Sequence, residues 1–289
     1  MPESMLQIHH LDSLNHPDGL NTALDVYRHL KDRQLKCREG LFIAEGLEVV
    51  RRLLRSRFQV HSLLLTAAKL ERLRADLQGL KAPICVATVK QMEAIAGFAI
   101  HRGAVACGFR EPPVDLETAI ATASRGRLIV VLENICDAQN IGVIIRNAAA
   151  FGADLVILSG CCDPFYRRAI RVSMGNVFAV PLFFSENLVG DLISIRQRLG
   201  VELIGTELSP TATPFQEAPA SDRLALLLGA EGTGLSTPVL EICDRRVVIP
   251  ITPNSDSVNV AVASGIFLYA YSSPSVSRVS SGSRVAACK

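Results

Sequence analysis

The chain has 289 residues, a formal net charge of +2, 49% hydrophobic and 20% charged residues. That length suggests about two domains at ~150 residues each and is enough for a full core, so neither metals nor disulfides are required as staples. The balance excludes wholesale disorder, a collagen-like repeat and a small disulfide scaffold.

No apolar run reaches the ~18 residues of a membrane span. The best candidate, residues 258–271, is shorter and holds Asn259, Ser264 and Gly265. The opening MPESMLQIHH lacks the basic region and apolar stretch of a secretory signal. A cytoplasmic protein without a membrane partner is expected.

In chain order, a helix is predicted over residues 24–38 after a weak start signal at Asn21-Thr22. A short apolar run at 41–44 precedes a helix over 46–57, where Leu47, Val50 and Leu54 share a face. Strands at 60–65, 84–87 and 104–109 alternate with helices at 67–77 and 89–95, the pattern of a compact α/β domain. Arg110-Glu111-Pro112-Pro113 interrupts the pattern. This places a first domain at 1–112, a linker helix within 113–124 and a second domain at 125–271. There the expected strands are 128–132, 155–158, 177–181, 203–205, 224–228 and 246–249. The expected helices are 141–151, 164–172, 187–199, 237–242 and 258–271. Continuous apolar strands of this kind suit a parallel sheet covered on both faces. The Ser-rich tail, 272–289, has no periodicity and is expected to be disordered.

Eight cysteines stand at 37, 85, 107, 136, 161, 162, 243 and 288, with no Cys-x-x-Cys pair. They read as reduced thiols. His9, His10 and His16 lie in a polar leader without a Cys or carboxylate at ligand spacing, and no metal site is expected.

Charge is uneven. Residues 28–57 hold nine Lys/Arg, namely Arg28, Lys31, Arg33, Lys36, Arg38, Arg51, Arg52, Arg55 and Arg57, against four acids. Arg167, Arg168 and Arg171 form a second cluster. Either cluster reads as a solvated face or as a surface that tracks nucleic-acid phosphates.

Three segments carry chemistry. Residues 226–236, LLLGAEGTGLS, run from a strand into a loop with Gly229, Gly232 and Gly234. No Walker A sequence is present, and tight turns alone would also explain these glycines. Residues 137–152, DAQNIGVIIRNAAAFG, open a helix with Asn140 as candidate N-cap and Arg146 six residues on. Residues 247–270 contain a turn stiffened by Pro250 and Pro253, then a helix rich in small residues flanked by Ser257 and Asn259. Ser257 is a candidate cap for that helix.

These segments, in this order, resemble the three motifs of the SpoU/TrmH family of RNA ribose 2′-O-methyltransferases, within the SPOUT superfamily. The first is Asn140-x-Gly142-x-x-x-Arg146 followed by Ala149-Ala150-Phe151-Gly152. The second is Gly229-Ala230-Glu231-Gly232-x-Gly234-Leu235. The third is Ile249-Pro250, then Ser257-Val258-Asn259-Val260-Ala261. Arg171-x-Ser173-Met174-Gly175 and Pro181 also fit. The match covers roughly 125–289, and residues 41–54 resemble the small ribosomal-protein-like RNA-binding domain that often precedes this core. Val258, Ile251 and Ala138-Gln139 depart mildly from the usual pattern.

The resemblance implies a parallel sheet whose C-terminal chain is threaded into a deep trefoil knot, a rare topology. It also implies S-adenosyl-L-methionine (AdoMet) as cofactor, held by the backbone at Gly229, Ile249 and Val258. Arg146 matches the catalytic Arg. A guanidinium is a poor proton acceptor, so its expected role is to clamp a phosphate and stabilise a developing alkoxide. Asn140, Glu231, Ser257 and Asn259 match residues that orient this Arg, the hydroxyl and the cofactor. The partners implied are RNA (rRNA or tRNA) and a second copy in a homodimer. Two rival readings are a binding protein of this fold that has lost catalysis, and an unrelated enzyme that uses 229–234 as a phosphate loop. Retention of Arg146, Glu231 and Asn259 argues against the first.

Overall fold

The structure is a computed structural model and describes residues 6–11, 18–28, 40–97, 103–123, 126–219, 221–252 and 257–272. Lys31, Arg33, Lys36, Arg38 and the tail beyond 272 lie outside the described residues. The chain divides into two compact units, one of residues 1–113, 137–146 and 163–179, the other of 114–136, 147–162 and 180–289.

The first unit holds a five-stranded mixed sheet in the order β1-β4-β3-β5-β2. Its strands are β1 (Ile8–His10), β2 (Leu41–Glu45), β3 (Val60–Leu65), β4 (Ile84–Val86) and β5 (Ala104–Phe109). β5 runs antiparallel to β2 and β3, while β4 is parallel to β3 and β1. The helices are α1 (Asp18–Arg28), α2 (Leu47–Leu54), α3 (Ala67–Leu73) and α4 (Val89–Ala96). Local signals set α4: Thr88 and Gln91 form a reciprocal capping box, and Gly97 closes the helix in the left-handed region at φ 74°.

Strand β2 lies at the sheet edge, yet all five of its residues are buried. The covering comes from residues 163–179 of the same unit. Phe42 stacks on Phe178 at 5.2 Å and lies 5.5 Å from Phe165, with Phe58 edge-on at 5.8 Å. Gly108 makes room for that ring, since a Cβ there would stand 2.5 Å from Phe42. Arg110 then closes the cluster. Its guanidinium bonds both oxygens of the buried Asp163, at 2.8 and 3.0 Å, and lies over the Phe165 ring.

The second unit holds a seven-stranded, all-parallel sheet in the order β10-β12-β9-β11-β6-β7-β8. Its strands are β6 (Leu128–Glu133), β7 (Leu155–Ser159), β8 (Leu182–Phe184), β9 (Glu202–Thr206), β10 (Thr213–Pro214), β11 (Leu224–Leu228) and β12 (Arg245–Val248). The linker helix is α5 (Leu116–Thr122), followed in the chain by α6 (Ala138–Ala150), α7 (Arg167–Val172), α8 (Leu188–Leu199), α9 (Thr237–Ile242) and α10 (Val260–Tyr271), of which α7 and the first part of α6 belong to the first unit. Strands β6 and β11 are buried along their full length, which continuous Leu/Ile/Val runs require of a sheet covered on both faces. Ile129, Leu192, Ile195, Leu203 and Leu227 form part of the unit's core.

Several expectations are corrected. Residues 177–181 do not form a strand: Asn176–Phe178 is a 3-10 turn and the strand is Leu182–Phe184. Pro181 has no N–H for a ladder and only its carbonyl is used, by Val156 N–H. Helix α1 starts at Asp18, six residues before the expected start. The cap of α6 is Asp137 rather than Asn140. Its Oδ1 accepts from the N–H of Gln139 and Asn140, so the helix opens at Ala138. The cap of α10 is Asn259 rather than Ser257, with Oδ1 accepting from Ala261 and Val262. Strand β1, read as polar leader, pairs with β4 along an exposed edge that carries His9 and His10.

Candidate active site

In the second unit, three loops leave the C-terminal ends of three adjacent parallel strands, β9, β11 and β12. This is the end of an open α/β sheet where ligands bind. Between them lies a cavity of about 510 Å3. The loop after β9 brings Glu207, the loop after β11 brings Gly229 to Gly234, and the chain after β12 brings Ile249, Ser257, Val258 and Asn259. Six of the eight predicted catalytic and cofactor residues thus line one cavity: Gly229, Glu231, Ile249, Ser257, Val258 and Asn259.

The glycine loop is folded onto itself. Ala230 and Gly234 exchange backbone hydrogen bonds at 3.2 and 2.9 Å, so their N–H groups are not offered to a ligand phosphate. Gly232 and Gly234 take φ of 88° and 69°. At Gly229 a Cβ would meet Gly234 C at 2.2 Å and Leu235 N at 2.3 Å, so no other residue fits without moving backbone. Beyond the loop, buried Glu133 at the end of β6 accepts from Ser236 N–H at 2.8 Å and from its hydroxyl at 2.7 Å. Glu133 fixes where the loop ends. The sequence reading missed it because the two residues are 103 positions apart.

Asn259 joins two of the loops. Its Nδ2 donates to Glu231 Oε1 at 2.9 Å while its Oδ1 caps α10. Asn147, from the second half of α6, donates to Ala261 O at 3.1 Å and Ser264 Oγ at 2.9 Å, tying that half-helix to α10. Glu207 is a further residue that the motifs did not single out. It is half-buried, its Oε2 accepts no hydrogen bond, and Arg246 stands 3.7 Å away.

The donor set decides what the cavity can hold. Its described lining contains two carboxylates, Glu207 and Glu231, and no Lys, Arg or His. Valines, isoleucines and Phe267 supply apolar walls. An anionic phosphate would find no counter-charge, which disfavours the phosphate-loop reading. A flat heterocycle bearing hydroxyls and a positive charge fits, with Glu207 Oε2, which faces Arg246 at 3.7 Å but accepts no hydrogen bond, as acceptor. AdoMet has that chemistry.

The other two predicted catalytic residues belong to the first unit. Asn140 is buried in the first turn of α6. Arg146, two turns on, is exposed and makes no ion pair among the described residues. Gly142 between them has a packing reason: a Cβ would lie 2.6 Å from Ala169 O, so α6 and α7 meet there backbone to backbone. On α7, Arg168 donates to Gln139 at 2.7 Å and Arg171 is exposed; Arg167 is half-buried. Arg28 pairs with Asp25 at 3.0 Å. None of the six described cysteines is in a disulfide, and no three His, Cys, Asp or Glu side chains gather at metal-holding spacing among the described residues. No helix among them is long and apolar enough to cross a membrane.

The model of the SpoU rRNA methylase family matches residues 127–269. An uncharacterized tRNA/rRNA methyltransferase of Mycobacterium tuberculosis is 38% identical over 271 residues, covering 88% of this chain and 93% of that protein. The 23S rRNA (guanosine-2′-O-)-methyltransferase of Acinetobacter baylyi is 34% identical over 186 residues, 62% of this chain and 73% of that one. Among solved structures, the AdoMet-bound rRNA methyltransferase from Sinorhizobium meliloti superposes with a TM-score of 0.75 at 25% identity, over 91% of this chain and 97% of that one. The chain belongs to the SpoU rRNA methylase family, the SpoU/TrmH group of RNA methyltransferases.

Proposed function

We propose that this protein transfers a methyl group from AdoMet to a ribose 2′-hydroxyl of rRNA or tRNA. The observation that carries the reading is the cavity at the ends of β9, β11 and β12, whose described lining holds carboxylates and apolar groups and no Lys, Arg or His. The AdoMet-bound state of the Sinorhizobium protein and the 2′-O-methyltransferase activity named for the Acinetobacter relative support it.

When bound, AdoMet would supply an electrophilic methyl group on a sulfonium sulfur, transferable to a hydroxyl oxygen whose proton is lost to solvent. The backbone at Gly229, Ile249 and Val258 would hold AdoMet, with Glu207 as an acceptor for its polar groups. Glu231, fixed by Asn259, and Ser257 line the same cavity and would orient the cofactor and the hydroxyl. Arg146 has no protein carboxylate to neutralise among the described residues, so its charge is available to a phosphate and to the alkoxide developing at the 2′-oxygen. Asn140 orients that part of α6.

The same reading takes the functional pieces as 1–112 for RNA binding, 113–124 as linker and 125–271 as a knotted methyltransferase domain. Arg167, Arg168 and Arg171 join the RNA contacts. It also makes the protein a cytoplasmic homodimer paired through α10, where Val262 and Tyr269 are 54% and 74% exposed. Melting shifts with three ligands test the cavity assignment. AdoMet is expected to raise the melting temperature while ATP and NAD leave it unchanged; a shift with ATP alone would overturn the reading.

A further inference from the structure

The first unit contains a second cavity, of about 610 Å3, that none of the three motifs reaches. Thr66, Lys69 and Arg72 line it from α3 and its cap, Val89 and Glu93 from α4, and Met174 from the segment after α7.

Its charges are unusual for this unit. Most neighbouring cations are already neutralised: Arg51 and Arg55 converge on Asp76, Arg57 pairs with Glu111, and Arg74 with Glu71. Lys69 and Arg72, one helical turn apart, make no ion pair among the described residues, and neither does Glu93. Lys69 and Glu93 are both half-buried and line one space, yet they do not meet across it. Charges of both signs stand unpaired around one opening, Lys69 and Glu93 half-buried and Arg72 exposed at its rim, where a ligand of mixed polarity would find partners. Val89 adds a large apolar side chain, 45% exposed. Met174 takes φ 55°, a left-handed conformation that costs a non-glycine residue energy and clusters at functional positions.

A ligand that satisfies this lining carries an anion for Lys69 and Arg72, a flat apolar face for Val89 and Met174, and an N–H donor for Glu93. A metal cation would leave the two bases unsatisfied; Glu48, also in the lining, is already neutralised by Arg51 at 2.6 Å. One nucleotide supplies all three features. Sequence-selective proteins commonly read RNA through unstacked bases of this kind. We infer that this cavity receives one unstacked nucleotide of the RNA substrate, with its flanking phosphates on Lys69 and Arg72 and its base N–H edge on the Glu93 carboxylate. The inference rests on the RNA methyltransferase reading.

Filter binding of the full-length protein to 23S rRNA and tRNA transcripts, at several salt concentrations, tests it. Neutralising two phosphate contacts in Lys69→Ala/Arg72→Ala should make the slope of log affinity against log salt shallower by about 1.4. Affinity at low salt should fall at least tenfold. Glu93→Gln should weaken binding with the slope unchanged. AdoMet binding, measured by calorimetry, should stay at the wild-type value in both variants, which reports intact protein. Wild-type affinity and slope in Lys69→Ala/Arg72→Ala would overturn the pocket and leave the methyltransferase reading standing. Failure of the wild-type protein to bind either RNA would overturn both.

Discussion

Asn259 is gripped at both ends: its amide nitrogen donates to Glu231 at 2.9 Å and its amide oxygen accepts from Ala261 at 2.9 Å and Val262 at 3.3 Å. One side chain therefore starts α10 and fixes the acidic residue of the glycine loop. Two substitutions separate these roles. Asn259→Ala should cost about 1 kcal/mol of stability, the usual value of a lost cap, and weaken AdoMet binding several-fold. Asn259→Ser keeps a capping oxygen but is too short to reach Glu231. It should recover the melting temperature and not the affinity. Wild-type affinity in both would show that Glu231 needs no fixing.

Gly229→Ala tests the floor of the cavity. A methyl group there meets backbone of Gly234 and Leu235 at 2.2–2.4 Å, so the loop must move. The expected result is loss of AdoMet binding by calorimetry together with a lower melting temperature. Retained affinity would mean that the loop does not shape the cofactor site.

Asp76 gives the first unit an acid-sensitive clamp. Burial alone would push its carboxyl up, but hydrogen bonds from Arg55 and Arg51 outweigh burial and hold it below the usual carboxylate range. A group depressed in the folded state stabilises fully above its unfolded value of ~3.9 and loses that contribution as pH falls through the folded value. Asp76→Asn should therefore lower the melting temperature at pH 7, and the gap from wild type should close below about pH 4. A gap independent of pH would show that the carboxylate charge is not what stabilises.

Much of this was legible in sequence. Strands β3, β5 and β11 and helix α9 have the expected bounds: β11 is an unbroken apolar run, LALLL, β3 ends on Leu63-Leu64-Leu65 before Thr66, and Pro238 sits in the first turn of α9, where proline is tolerated. The capping positions were misread by a few residues: Asp137 and Asn140, or Ser257 and Asn259, are equally good capping types, and only backbone geometry selects between them. Edge strand β1 has no buried face to impose alternation, so nothing marked it. At Gly229 and Gly142 a Cβ would meet neighbouring backbone, a requirement of tertiary packing that the spacing of the glycines does not specify. The basic excess over 28–57 suggested a broad charged surface. Arg28, Arg51, Arg55 and Arg57 instead pair within the fold, and charge counting cannot anticipate partners such as Asp76 and Glu111.

Pairing through α10 has its own test. Val262 and Tyr269 lie seven residues apart on one helical face. Light scattering should give a dimer for the wild-type chain and a monomer for Tyr269→Glu. A stable, active wild-type monomer would refute the proposed assembly.

The most direct measurement of the central claim is methyl transfer itself. Full-length protein, radiolabelled AdoMet and rRNA or tRNA transcripts are incubated, the RNA is digested to nucleosides, and the labelled nucleoside is identified. Label is expected on a ribose 2′-oxygen. Arg146→Ala should abolish it while binding AdoMet with near wild-type affinity, because the cavity residues are those of the second and third motifs. Label on a base, or substantial turnover by Arg146→Ala, would contradict the account.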